Sequence, residues 1–283
     1  MKRFFPAFLL LSLFGLCVFA PVIENALGHS SNETDLASRF LPPAFRHPFG
    51  TDELGRDVFI RLLYGGQVSL TVALAAGLAS AFIGTSVGMA AGYMGGKWDA
   101  MLMRLTDLLI SLPSLPLLII LSALDLQKLG VSADLASSPR VSLYKMVALI
   151  SFLSWTTVAR LARARALTLR QMDFVRAAKA LGVSDFRIVA RHIFPNLLNT
   201  VVVATALASG NIILMESVLS FLGLGIQPPL PSWGNMLTHA EQTIWEHARL
   251  TVYPGAMIFI TVLAFNFMGD SLQQALDPKS GKS

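Results

Sequence analysis

The chain has 283 residues, 54% of them hydrophobic and only 14% charged, against about a quarter charged in an ordinary soluble domain. Such a chain in water would expose large apolar patches, so the composition excludes a soluble globular domain and requires lipid as part of the solvent. The formal charge of +5 matters less than where Lys and Arg lie, and the one cysteine, Cys17, excludes an intrachain disulfide framework and a multi-cysteine metal site.

A bilayer core about 30 Å thick needs roughly 20 apolar residues per helical span. Six segments satisfy this and predict an all-α, polytopic membrane protein with about six transmembrane helices. The first covers about residues 4–23, directly after Lys2 and Arg3. A cleaved signal peptide is the rival reading of this stretch. The length of the run, the lack of a small-x-small site before Pro21 and the bulky Leu16 before Cys17 favour an uncleaved anchor over 1–23. Residues 24–67 follow as an extracytoplasmic segment, and residues 68–270 form a five-helix core.

The second span, 68–94, carries Gly84, Gly88 and Gly92, and Gly96 continues the same four-residue spacing. That spacing sets all four on one stripe of a helix, where a second backbone can approach closely. Spacing does not say whether the partner helix belongs to this chain. The third span, about 105–124, contains Pro113 and Pro116, which remove two backbone donors within one turn and predict a kink or a local unwinding. Lining of a pore and a packing adjustment are both consistent with such a break. The fourth span covers about 141–158.

The segment 161–196 is too long for a turn and too charged for the membrane interior. It reads as two helices, the first over 161–181 and closed by Gly182 in a left-handed cap. Ser184 is placed to cap the second, with Asp185 in its first turn and Pro195 ending it. Ala177 and Ala178 predict a low surface open to another protein's backbone. A DNA-reading helix-turn-helix is rejected, because both helices are tethered to spans and the charge is what orientation already requires. The fifth span, 197–223, contains Glu216, a carboxylate that needs water or a partner at that depth and so points towards a pore or an interior contact. The sixth covers about 251–269, and 271–283 form a tail. With the N-terminus inside, 14 of the 22 Lys and Arg residues fall in the four inner segments and 8 in the longer outer ones, which predicts both termini on the cytoplasmic side.

Val175-Arg176-Ala177-Ala178-Lys179-Ala180-Leu181-Gly182, followed by Arg191-His192-Ile193-Phe194-Pro195-Asn196, resembles the EAA loop of bacterial ABC importer permeases. Further stretches are similar to the dipeptide/oligopeptide/nickel group, and within it to OppC/DppC-like members. These are the eleven residues from His47 to Asp57, the ten from Glu216 to Gly225, Gly269-Asp270-Ser271-Leu272, and Leu276-Asp277-Pro278. Nearly the whole chain is covered. The resemblance implies a type I ABC importer permease fold in the bacterial cytoplasmic membrane. It implies a second permease of the OppB/DppB type, two ATP-binding subunits carrying ATP and Mg, and an extracytoplasmic substrate-binding protein. It also implies that Arg176, Ala177, Ala178, Gly182, Ser184, His192, Pro195 and Asn196 belong to the loop that docks on an ATPase groove. Arg176 stands where the family loop usually has Glu. The implied cargo is a peptide, with nickel or another small solute as the alternative.

No cofactor, catalytic constellation or nucleic-acid partner is expected of the chain itself. Gly96-Lys97 lacks the remainder of a P-loop, with Ala91 and Trp98 at the positions that need Gly and Ser or Thr. His29, His47, His192, His239 and His247 are scattered and read as ordinary surface residues. An ion-gradient-driven secondary transporter is the competing class, but inverted repeats and multiple intramembrane charges are not evident.

Overall fold

The computed structural model describes residues 5–136, 138–238 and 240–276. Apart from one isolated bridge between Thr51 and Asp57, the regular structure among them is helical. Helix α1 (Phe5–Val18) meets α2 (Ala20–Leu27) at a 48° bend. Pro21 falls in the first turn of α2, where a missing N–H costs little. The pair is locked to the next helix from the side: Gln67 Nε2 donates to the Cys17 carbonyl at 2.7 Å, and the Tyr64 hydroxyl donates to the Glu24 carboxylate.

Helix α3 (Val58–Met94) begins ten residues before the apolar run suggested, so residues 58–67 are helix and not part of the preceding segment. Its 37 residues rise about 55 Å, nearly twice a bilayer core. Hydropathy missed the start because Arg61 and Gln67 lie in it, whereas a helix needs only a cap and partners. Asp57 supplies the cap, accepting from the Ile60 N–H at 2.9 Å. Buried Arg61 lies 3.6 Å from Asp52 and donates to the Ser31 carbonyl.

The residues before this helix fold into a small hydrogen-bonded cap. Asp52 accepts from the Leu54 and Arg56 N–H groups and from the Arg56 guanidinium at 2.7 Å. Thr51 joins Ser38 to Leu41, and Arg249 donates to the Phe40 and Leu41 carbonyls. Gly50 has φ +78°, and a Cβ there would run into the Leu41 carbonyl, so no other residue fits without moving this turn. In the same segment the Ser38 hydroxyl and the Ala37 N–H hold the Asp35 carboxyl below the usual carboxylate range. Three histidines are used here, in place of the ordinary surface role expected of them. His47 Nδ1 lies 2.9 Å from Asp57, His29 stacks on His47, and His247 stacks on Phe40. His239 lies outside the described residues.

Helices α4 (Gly96–Ser111) and α5 (Ser114–Ser122) form a pair bent by 83°. Leu112 and Pro113 between them are extended, because a proline disfavours helical backbone in the residue before it. Pro116 sits in the first turn of α5, so Pro113 makes the break and Pro116 is carried by it. After the single turn α6 (Ala133–Ala136) comes α7 (Pro139–Arg170), which continues twelve residues past the expected end of the fourth span. The helix expected over 161–181 is therefore two: α7 stops at Arg170 and α8 (Asp173–Ala180) starts anew. An unbroken helix would place Val175 about 120° around its axis from Leu169. The break at Gln171–Met172 instead brings Val175 and Ala178 into one apolar cluster with Ala162, Ala166 and Leu169.

Helix α9 (Asp185–Ile188) runs through a wide π-turn, Val189–Ile193, directly into α10 (Phe194–Phe221). Pro195 thus does not end the helix. In the wide turn the Phe194 N–H donates five residues back, to Val189, which leaves room for the proline ring in the following turn. The single turn α11 (Ala240–Thr243) precedes α12 (Arg249–Leu276).

Helices α3, α7, α10 and α12 make the body, with a core of Leu62, Leu70, Ala73, Ile150, Ile212, Leu219 and Trp233. The glycine stripe packs within the chain, on α7. A Cβ built on Gly84 would lie 2.5 Å from the Trp155 carbonyl oxygen, and one on Gly92 would lie 2.7 Å from that of Arg163. One on Gly88 would overlap the Ala159 carbonyl. Gly96 does not share this contact: α3 ends at Met94, Gly95 caps it with φ +69°, and Gly96 starts α4 facing open space.

Candidate functional site

At one end of the bundle α7, α8, α9 and α10 form a basic elbow. Its buried side is apolar: Val175, Ala178, Ile188, Ile193 and Leu197 join Ala162 and Ala166 of α7. Ala178 therefore serves the interior, contrary to the low outer surface expected of both alanines, while Ala177 is exposed. The periodicity explains the split, since Val175 and Ala178 are three apart and share the inward stripe. Arg176, Ala177, Lys179, Ala180 and Leu181 make the outer surface.

The bend is set by Gly182 at φ +75°, with the Gly182 N–H donating to Lys179 and the Val183 N–H to Ala178. Ser184 occupies the N-cap position of α9 with extended backbone, but its hydroxyl makes no capping hydrogen bond. The first turn of α9 is tied elsewhere, by the Tyr93 hydroxyl of α3 donating to Asp185. His192 is half-buried with its ring 6.2 Å from that of Phe174. Asn196 donates to the His192 carbonyl at 2.7 Å, and Pro195 is exposed on α10.

Two ion pairs brace the frame behind the elbow. Arg163 of α7 donates to both carboxylate oxygens of Asp99 of α4 through Nε and Nη2, at 2.5 and 2.7 Å, and Arg160 meets Asp107 at 2.6 Å. Thus α8 packs on α7 through the apolar cluster, α7 packs on α3 along the glycine stripe, and these pairs join α7 to α4.

Midway along the bundle the Pro113 break opens a cleft of about 330 Å³ between α4–α5, α7 and α10. Leu112 and Ser114 flank the break there, and Ser154, Thr157 and Asn211 supply hydrogen-bonding groups on a largely apolar wall. Pro113 thus shapes the wall without forming it.

Glu216 lies elsewhere, at the opposite end, and is fully buried. Its carboxylate takes the Ser69 hydroxyl of α3 at 2.9 Å and the Ser220 hydroxyl at 2.7 Å. Ser69 in turn accepts from the Trp233 N–H, and Ser220 from the Ile226 N–H. Through two serines one carboxylate fixes both ends of the loop after α10, whose Trp233 indole also donates to the Leu62 carbonyl at 2.9 Å. In this structure Glu216 makes the interior contact that its depth calls for. Sequence reading missed Ser69 and Trp233. A tryptophan in a polar loop was the only local sign, and a serine in a long apolar run carries none.

The chain matches the model of the binding-protein-dependent transport system inner membrane component over residues 84–282. It belongs to that family. Dipeptide transport system permease protein DppC of Bacillus subtilis (strain 168) is 38% identical, over 96% of this chain and 80% of the relative. The DppC of Alkalihalophilus pseudofirmus is 37% identical, over 93% and 81%. Among solved structures, an inward-facing conformation of the MetNI methionine ABC transporter superposes with a TM-score of 0.61, at 16% identity, covering 78% of this chain and 96% of that one. The fold is that of an ABC importer permease. The family places the chain as a membrane component of a binding-protein-dependent importer, and the long apolar helices are the spans it requires.

Proposed function

We propose that this chain is the OppC/DppC-like half of a peptide-translocating pore, a non-catalytic subunit driven by ATP hydrolysis elsewhere in the complex. The observation that carries the peptide cargo is the identity of 37–38% to dipeptide permeases over nearly the whole chain. The chain sits in the bacterial cytoplasmic membrane with both termini and the elbow on the cytoplasmic side, a reading supported by the excess of Lys and Arg in those segments. Two ATP-binding subunits holding ATP and Mg dock beneath it, an OppB/DppB-like permease completes the pore, and an extracytoplasmic binding protein delivers the peptide. Arg176, Ala177 and Lys179 on α8 meet the ATPase, while Gly182 sets the angle at which they do so.

The mechanism follows from the packing. Closure of the ATPases around nucleotide displaces α8, which is fused through its apolar side to α7 and α10. Those two helices carry the walls of the cleft at Pro113, so the displacement changes which side the cleft faces. Ser154, Thr157 and Asn211 offer hydrogen bonds to a peptide main chain without demanding a particular side-chain charge.

The test is uptake by the five-component transporter in proteoliposomes, with labelled dipeptide and labelled nickel compared. ATP-dependent dipeptide accumulation supports the reading. Accumulation of nickel with no dipeptide uptake refutes the cargo while leaving the driven pore intact.

A further inference from the structure

From Arg170 to Arg191 the elbow carries five exposed cations, Arg170, Arg176, Lys179, Arg187 and Arg191, and among the described residues none of them takes part in an ion pair. The contrast with the frame behind it is sharp, since Arg160 and Arg163 on the same helix run are each paired with an aspartate of α4. Only two acidic residues, Asp173 and Asp185, lie on the elbow, and Asp185 is engaged by the Tyr93 hydroxyl. Unpaired like charges at this density repel one another until a complementary surface arrives.

Apolar groups are displayed with them. Leu181 is 83% exposed and Phe186 84%, one on each side of the Gly182 bend. Phe186 also borders an open cleft of about 590 Å³ between the elbow and the α3–α4 turn, where Met94 and Trp98 supply an apolar wall beside Arg170 and Lys179.

We infer that the surface received by this elbow is acidic around an apolar pocket: carboxylates of the ATP-hydrolysing subunit meet Arg176 and Lys179, and its apolar side chains cover Leu181 and Phe186. This rests on the reading that the elbow docks on the ATPase, and it adds the chemistry of the contact. A partner offering a cation at the position of Arg176 would be rejected by like charge. The matched ATPase is thereby distinguished from ATPases built for a carboxylate at that position.

The experiment uses the assembled permease pair in lipid nanodiscs and measures its Kd for the ATPase subunits. Arg176→Glu/Lys179→Glu should weaken binding at least about tenfold at low salt. Raising NaCl from about 50 to about 500 mM should weaken the unmodified complex severalfold, a readout that needs no substitution. Ala177→Trp, a steric change on the same exposed face, should also weaken it and reports on docking alone. Loss of binding in Ala177→Trp, with no effect of charge reversal or salt, overturns the acidic complement and leaves the docking site standing. If none of the three changes matters, the docking reading falls and this inference with it.

Discussion

Gly88→Ala is the sharpest test of how motion passes through the bundle. The added methyl would overlap the Ala159 carbonyl oxygen and stand 2.8 Å from the Ala162 Cβ and 2.9 Å from the Arg163 N. None of these atoms can rotate aside, because two are backbone and the third is a Cβ. Carbon contacts settle at about 3.5–4.0 Å, so α3 and α7 must part locally by about 1 Å. A radial gap of that size forfeits up to about half of each dispersion contact along the seam, and overpacking of this kind costs about 1–3 kcal/mol. The control is Gly255→Ala in α12, where nothing lies within 4 Å and the better helix propensity of alanine is neutral or worth up to about 1 kcal/mol. Thermal unfolding of the purified chain in detergent, followed by circular dichroism, reads both. At about 2–4 °C per kcal/mol for a chain of this size, Gly88→Ala should melt about 2–12 °C lower and Gly255→Ala no lower than the unmodified protein. Equal melting of Gly88→Ala and the unmodified protein would refute the close backbone contact.

Three other outcomes follow from the same geometry. Glu216→Ala strands the Ser69 and Ser220 hydroxyls in a buried site and should cost about 2–5 kcal/mol, whereas Glu216→Gln keeps an acceptor and should cost less than half as much; limited proteolysis of the loop at 222–238 checks this. Asp57→Ala removes the cap of α3 together with the partner of His47, and a loss of about 1–2 kcal/mol should appear as a lower melting temperature. Gly182→Val places a β-branched residue at φ +75°, strained by about 1–2 kcal/mol, and so distorts the bend of the elbow. ATP hydrolysis by the assembled transporter should continue while uptake falls at least tenfold, with membrane insertion unchanged; full uptake would remove the elbow from the mechanism.

Four spans were legible as single helices, and the first and third as bent pairs, because hydropathy is a sum over some twenty residues and survives errors at the ends. Helix ends were not, since they depend on single contacts between distant residues. Val58 begins a helix because Asp57 caps it and because Asp52 and Ser31 hold Arg61, a set of partners that no local window contains. Pro195 reads as a stop in one dimension and is absorbed by the wide turn before it. The stripe of glycines was correctly spaced through Gly92 and failed at Gly96, where a left-handed cap at Gly95 ends the helix and with it the periodicity. Gly182 announced the bend, since a left-handed cap has a sequence signature. The inward turn of Ala178 follows from its spacing to Val175, but the break at Gln171–Met172 that aims this stripe at α7 had no such signature. Glu216 was noticed for its cost in an apolar setting, which is a real signal. Its role came from Ser69, far away in sequence and ordinary in type.

A pore driven from the elbow by ATP is distinguished from one driven by an ion gradient by what powers uptake. Proteoliposomes containing this chain with its permease partner, with and without the ATPase subunits, decide it by labelled dipeptide uptake under a proton gradient or under ATP with binding protein present. Accumulation is expected only when ATPase subunits and ATP are both supplied. Uptake driven by the proton gradient in vesicles lacking the ATPase subunits would contradict it.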